Sequence, residues 1–277
     1  RGASKGEGLG NQFLGNIREV DAIAHVLRCF EHSDITHVDG DVDPVRDAQT
    51  VETELMLADI DSIERRMTTL VKKSRGGDGE SKADLVLLEK LLAHLSDGNP
   101  ARSTSDLTNA EQKRLSQLQL LTAKPVLYVC NVAEADVATG NSYSQKVAEM
   151  AATQQAGHVI VSAAIEAEIS QLDASDKGEF LAELGLEEAG LARLIRAGYG
   201  LLNLLTFFTV GPKEARAWTV INGATAPQAA GIIHTDFQRG FIRAETISYD
   251  DYIACKGETG AKEAGKFRVE GAEYKVV

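Results

Sequence analysis

Asn131-Val132-Ala133-Glu134 and Val161-Ser162-Ala163-Ala164 each stand at the end of a short, almost wholly apolar run, residues 125–130 in one case and 158–161 in the other. Runs of this length closed by polar residues read as buried strands of a parallel sheet. The carboxyl ends of such strands are where open α/β sheets bind ligands. Asn131, Val132 and Glu134 in the first tetrapeptide, and Ser162, Ala163 and Ala164 in the second, would stand at such an edge. Either tetrapeptide alone is equally a polar loop after a strand. Two of them in order, one helix apart, favour a ligand site there.

A third candidate is His37, within Asp34-Ile35-Thr36-His37-Val38. A neutral imidazole can orient water or accept its proton near pH 7. A histidine in an acidic loop is otherwise a solvated residue. The other histidines and the three cysteines carry no such signal, and residues 22–30 and 158–161 place His25 and His158 on buried strands.

The elements that must hold these groups alternate. A glycine-rich start (Gly2, Gly6, Gly8, Gly10) leads into an amphipathic helix with Phe13, Leu14 and Ile17, then the strand at 22–30 and an acidic loop at 31–47 containing Pro44. From Val51 the apolar period becomes helical through Leu55, Ala58, Ile63, Met67 and Leu70. It breaks at 74–79 and resumes at Leu85, Leu88, Leu92 and Leu95, predicting an antiparallel helical hairpin of coiled-coil character. A helix at 109–121 follows, with Thr108 as N-cap. The α/β pattern then returns, with helices at 143–155, 164–172, 177–184 and 188–202. After Asn203, short strands at 207–209, 215–220 and 241–247, with one helix near 227–230, predict a separate small α+β domain. The predicted architecture is therefore a doubly wound α/β domain interrupted by a helical insertion. Its segments are residues 1–50, 51–121 and 122–202, with a last domain at 203–277.

Composition narrows the function. The 277 residues are 43% hydrophobic and 25% charged, with a formal net charge of −12 and a pI near 5.0. That excludes a protein that coats nucleic acid non-specifically, which needs a strongly basic face. Three widely spaced cysteines form no CxxC, which excludes a disulfide framework and fits a reducing compartment. No apolar run approaches a membrane-spanning length of about 20 residues.

The two tetrapeptides occupy the places where P-loop GTPases carry Asn-Lys-x-Asp and Ser-Ala-Lys, which grip the guanine base through a carboxylate and through backbone groups. That resemblance implies a base-binding site here, at which Asn131 can offer its amide to adenine N6 and N7, whereas Glu134, one methylene longer than aspartate, carries its carboxylate past the guanine N1/N2 edge. The motifs Lys5-Gly6-Glu7-Gly8-Leu9-Gly10-Asn11-Gln12-Phe13-Leu14, Val26-Leu27-Arg28-Cys29-Phe30-Glu31, Thr53-Glu54-Leu55-Met56-Leu57-Ala58-Asp59 and Gly223-Ala224-Thr225-Ala226-Pro227-Gln228 resemble the YchF/Obg-like ATPase family over essentially the whole chain. The Asn-x-x-Glu base loop is that family's departure from other GTPases. The resemblance implies a P-loop NTPase fold with a coiled-coil insertion and a C-terminal TGS β-grasp domain. It also implies hydrolysis of ATP in preference to GTP, with Mg²⁺, on a switch protein of the cytoplasm.

Gly2, Gly6, Gly8 and Gly10 would be hinge positions of its switch loop. His37 matches a family histidine that could supply the water-orienting group, since the family lacks the glutamine of Ras-like enzymes. The implied partner is the ribosome, with Lys72, Lys73 and Arg75 at the hairpin tip and Lys262, Lys266 and Arg268 in the last domain meeting RNA phosphate. A membrane or DNA partner is not implied, and a monomer is expected. The family's P-loop, first switch and Asp-x-x-Gly strand are not among these residues, nor is a last β-grasp strand. The sequence therefore reads as part of a larger protein, inactive as an ATPase by itself. The alternative function is a non-enzymatic ribosome- or RNA-binding module.

Overall fold

Three parallel strands, β1 (Ile23–Arg28), β2 (Val126–Asn131) and β3 (Gly157–Val161), make the sheet that organises the first part of the chain, in the order β1-β2-β3. The structure is a computed structural model that describes residues 10–38, 40–74 and 78–277. The chain divides into two units, Arg1–Leu201 and Leu202–Val277. The central strand β2 is buried along nearly its whole length. The strand at 22–30, predicted to be buried, is exposed on one face. β1 has β2 on one side and no other strand partner among the described residues, so Leu27 is buried while Val26 is 63% exposed. For the same reason His158, on β3 at the opposite edge, is exposed.

Helices α1 (Gly10–Glu19), α2 (Pro44–Ser74), α3 (Gly79–Ser96), α4 (Asn109–Leu118), α5 (Ser142–Thr153), α6 (Ala163–Gln171), α7 (Lys177–Glu183) and α8 (Gly190–Leu201) complete this unit. The core about the sheet takes Leu27 and Cys29 from the β1 segment and Val126, Tyr128 and Cys130 from β2. Val147 and Ala151 of α5 and Ile165 and Ile169 of α6 close it. Cys29 and Cys130 are buried free thiols. A hydrogen bond with Cys130, together with burial, pushes the Cys29 thiol's pKa up and keeps it protonated.

The helical period predicts a start near Val51, yet α2 begins at Pro44, inside the segment read as an acidic loop. Proline suits the first helical position, where its missing N–H costs nothing. The Asp43 carboxylate accepts the Arg46 N–H at 3.1 Å, and Asp47 places a second carboxylate in the first turn, against the positive end of the helix dipole. α2 and α3 pack together through Ile63, Leu87, Leu88, Leu91 and Leu95. Asp78 caps α3 by accepting from Glu80 N at 3.2 Å and Ser81 Oγ at 2.5 Å. α4 carries a full capping box. The Glu111 carboxylate accepts from Thr108 N at 2.8 Å while Thr108 Oγ1 accepts from Glu111 N at 3.3 Å.

Two polar contacts fasten this hairpin to the sheet. Asp59, fully buried on α2, accepts Leu121 N and Thr122 N at 2.8 Å each and Thr122 Oγ1 at 2.7 Å. Burial pushes its carboxyl above the usual range, and these three donors offset part of that. Glu52 of α2 pairs with Arg102 at 2.6 Å, both side chains 14% exposed. Arg102 in turn lies 3.5 Å from Gln154 Oε1, which accepts Tyr128 OH of β2 at 2.7 Å.

In the second unit, β4 (Leu204–Val210) and β5 (Ala215–Ile221) form an antiparallel hairpin, with α9 (Ala226–Ile233) packed on β5. α10 (Thr235–Arg239), β6 (Ala244–Thr246), α11 (Tyr249–Ala254), α12 (Glu258–Glu263) and β7 (Arg268–Glu270) follow, β6 and β7 pairing antiparallel. The strand predicted at 241–247 shrinks to three residues, because only Ala244, Glu245 and Thr246 find a partner in β7. The helices α10, α11 and α12, of five or six residues each, are too short to show a period.

Candidate functional site

Asn131 closes β2, in register with Val161 of β3. Its side-chain Oδ1 accepts the Ala163 N–H at 2.9 Å, and the Val132 N–H reaches Val161 O at 2.9 Å. The two tetrapeptides singled out from sequence therefore lie side by side at the carboxyl edge of the sheet. With Oδ1 engaged there, the Asn131 amide N–H₂ is the donor left for a ligand. Ser162 precedes α6 at its N-cap but makes no capping bond. It is 1% exposed, and its Oγ has no hydrogen-bond partner among the described residues. A buried hydroxyl left in this state costs about 1–3 kcal/mol. Ala163 and Ala164 are exposed beside it, whereas Val132 is buried and packs. Glu134 is exposed and opens a short 3₁₀ turn, Glu134–Asp136.

Asn141, which the sequence reading passed over, ties this edge together. Its Oδ1 accepts from Tyr143 N and Ser144 N at 3.1 Å, capping α5. Its Nδ2 donates to Asp136 Oδ2 and to Cys29 O, each at 2.8 Å. The turn after Glu134 and the end of β1 thus share one amide. Gly140 lets the chain enter this cap. Its φ is +74°, and a Cβ there would fall 2.5 Å from Ser144 Oγ and 2.8 Å from Ile160 Cδ1. A Gly-Asn pair just before a helical period was the available signal.

The segment after β1 carries His37. Arg28 Nε donates to Phe30 O and its Nη1 to Ile35 O, both at 3.0 Å, and Tyr143 OH donates to Glu31 Oε1 at 2.6 Å. Thus α5, which flanks the two tetrapeptides, also anchors this segment. Most of its residues are exposed, but the His37 side chain is only 14% exposed and its Nε2 lies 2.9 Å from Asp47 Oδ2. A carboxylate can only accept, so Nε2 is the donor in this contact. The structure thus sets His37 apart from a solvated loop residue.

Gly10 is the first residue of α1, while Gly2, Gly6, Gly8 and Arg75 lie outside the described residues. Lys72 and Lys73 are exposed in the last turn of α2. In the second unit Lys262 pairs with Glu258 at 2.5 Å, Lys266 with Asp251 at 3.4 Å, and Arg268 lies 3.7 Å from Glu270. Among the described residues no group of three or more His, Cys, Asp or Glu could hold a metal ion. Nor is any helix among them long and apolar enough to cross a membrane.

The class defined here is a mixed α/β fold with a parallel sheet and helices, followed by a smaller α+β unit. Residues 204–277 match the family model YchF-GTPase_C, described as a protein of unknown function (DUF933). The chain is 56% identical over 273 residues to the "Ribosome-binding ATPase YchF" of Haemophilus influenzae, covering 99% of this chain and 75% of that protein. It is 51% identical over 278 residues to the protein of the same name from Bacillus subtilis, covering 100% of this chain and 76% of that protein. The "Structure of the Schizosaccharomyces pombe YchF GTPase" superposes with a TM-score of 0.82 at 36% identity, covering 98% of this chain and 73% of that one. The chain belongs to the YchF family.

Proposed function

We propose that the protein is a ribosome-associated nucleotide hydrolase of the cytoplasm that prefers ATP to GTP. On this reading residues 1–50 and 122–202 are parts of its nucleotide domain, 51–121 a coiled-coil insertion and 203–277 a TGS domain. The observation that carries the reading is the 2.9 Å bond from Ala163 N to Asn131 Oδ1, which joins two base-loop candidates beside the unpaired Ser162 hydroxyl. It is supported by relatives whose names say that they are ribosome-binding ATPases. The Asn131 amide N–H₂ donates to the purine N7, and the Ser162–Ala164 turn closes on the ring. Glu134 leaves the guanine N1/N2 edge unpaired, a loss of about 1–3 kcal/mol for GTP.

The chemistry falls to His37. Its imidazole orients the water that attacks the γ-phosphorus, or accepts its proton. The new bond is water oxygen to phosphorus, and the bond broken is the bridging oxygen to phosphorus, releasing ADP and phosphate. Mg²⁺, when bound with the nucleotide, would neutralise phosphate charge.

Calorimetric titration of the full-length protein with ATP and GTP tests base choice. ATP should bind more tightly, and Glu134→Asp should shift the ratio toward GTP by roughly 5–100-fold. Tighter GTP binding by the parent would refute the assignment.

The ribosome contact is assigned first to the α2 tip. Lys72 and Lys73 are exposed there, whereas Lys262, Lys266 and Arg268 are engaged with carboxylates of their own unit. Reversing Lys72 and Lys73 to Glu should weaken ribosome co-sedimentation and reduce the slope of log affinity against log salt by roughly 1–2. The same reversal at Lys262, Lys266 and Arg268 should do less. Parent-like sedimentation of the tip variant across a salt series would move the contact elsewhere.

A further inference from the structure

Two side chains that read one base discriminate only while their separation is held by the groups behind them. We infer that Asn141 is the positioning residue of the base site. Its side-chain amide closes a ring of hydrogen bonds that fixes Glu134 relative to Asn131 and so sets the preference for ATP. The inference rests on the reading of Asn131–Glu134 as a base loop.

The ring runs from atom to atom without a gap. The Asn131 carbonyl at the end of β2 accepts the Cys29 N–H at 2.8 Å. The Cys29 carbonyl in turn accepts from Asn141 Nδ2 at 2.8 Å, and the same Nδ2 donates to Asp136 Oδ2 at 2.8 Å. The Asp136 N–H reaches back to Ala133 O at 3.0 Å and the Val137 N–H to Glu134 O at 3.3 Å, so the turn that opens at Glu134 is fastened to the loop it leaves. The Gly140 N–H donates to Asp136 O at 2.7 Å, which brings the amide within reach of that turn. Cys29 and Val137 are buried, and they anchor the ring in the core. Both ends of the Asn131–Glu134 segment therefore meet at one side chain.

Asparagine suits this corner because every hydrogen-bonding position of its amide is used. Oδ1 accepts from Tyr143 N and Ser144 N at 3.1 Å each, while Nδ2 faces two acceptors, a carbonyl and a carboxylate. Capping a helix needs only the oxygen half, which aspartate or serine supplies as well. The donor half is surplus to the cap, and it is the half that reaches the loop. The start of α5 has moorings that do not involve it. The Asn141 N–H donates to Ser144 Oγ at 2.8 Å, and Tyr143 OH donates to Glu31 Oε1 at 2.6 Å. Removing the Nδ2 donors therefore loosens the Glu134 turn and leaves the helix in place.

The test uses Asn141→Asp and Asn141→Ser, which keep a capping oxygen and lose the amide donors. In calorimetric titration of the full-length protein, both should bind ATP about 5–30-fold more weakly than the parent. GTP should lose less, so that the ATP-to-GTP preference falls by about 3–10-fold. Affinity for inorganic tripolyphosphate, which has no base to place, should stay within about twofold, and far-UV circular dichroism should show both variants folded. In an Asn131→Ala background, adding Asn141→Ser should weaken ATP binding by less than about twofold, because the group it positions is gone. Parent-like binding of ATP and GTP by both variants, or an equal loss for ATP, GTP and tripolyphosphate, would overturn the positioning role while leaving the base site in place. So would loss of the fold in both, since each keeps the cap. Parent-like ATP binding by Asn131→Ala would overturn the base-site reading and this inference with it.

Discussion

His37→Ala in the full-length protein is expected to lower kcat for ATP by about 10²–10⁴-fold while leaving nucleotide affinity near that of the parent. On the proposed reading the imidazole acts on a water that matters only as the phosphoryl group transfers, so its loss would be felt in the transition state and not in ground-state binding. The structure strengthens this expectation by turning His37 away from solvent onto Asp47. Single-turnover and steady-state hydrolysis, with a parallel measurement of ATP dissociation, separate the two effects. Unchanged turnover would leave His37 as a structural tie to α2. A matching loss of affinity would make it a binding residue.

The second large effect concerns stability. Asp59→Ala should destabilise the first unit by about 3–5 kcal/mol, since it strands two backbone N–H groups and a hydroxyl in a fully buried place and leaves a cavity. Asp59→Asn should cost less, about 1–3 kcal/mol, because an amide keeps one acceptor but turns its N–H₂ against one of those donors. Urea unfolding followed by far-UV circular dichroism is the measurement. Trp218 is the only tryptophan and lies in the other unit, so its fluorescence reports elsewhere. A loss below about 1 kcal/mol for Asp59→Ala would mean that the carboxylate's burial costs as much as its hydrogen bonds return.

The sequence made the carboxyl-end loops legible because their signal is local. Each is a run of apolar residues closed by a polar turn, and β2 and β3 fall where those runs lie. The Thr108 cap of α4 was legible for the same reason, since both halves of a capping box sit within four residues. The early start of α2 was missed although Asp43-Pro44 announces it, because the hydrophobic period does not begin until the helix reaches its packed face. Asp59 could have been noticed as a charge on the stripe of Leu55, Ala58 and Ile63. Its partners Leu121 and Thr122, more than 60 residues away, could not have been named. Asp47 and His37 belong to the same group. They stand ten positions apart in the sequence, and no spacing rule says that such a segment folds back on itself.

The unbroken run of α2 has a mechanical consequence. Its 31 residues carry Asp47 near one end and Lys72 and Lys73 at the other, and between them Glu52 and Asp59 are pinned to the body of the domain. At about 1.5 Å per residue, and measured from the midpoint of those two ties, Lys73 lies roughly 26 Å along the helix and Asp47 roughly 13 Å the other way. A helix that tilts as one body about that midpoint gears motion down. A load that pushes the tip aside by about 3 Å would reach the His37 end as roughly 1.5 Å in the opposite sense. That is sufficient to stretch a 2.9 Å hydrogen bond out of its normal range. Force applied where the helix is charged and exposed would then be felt where the imidazole is held.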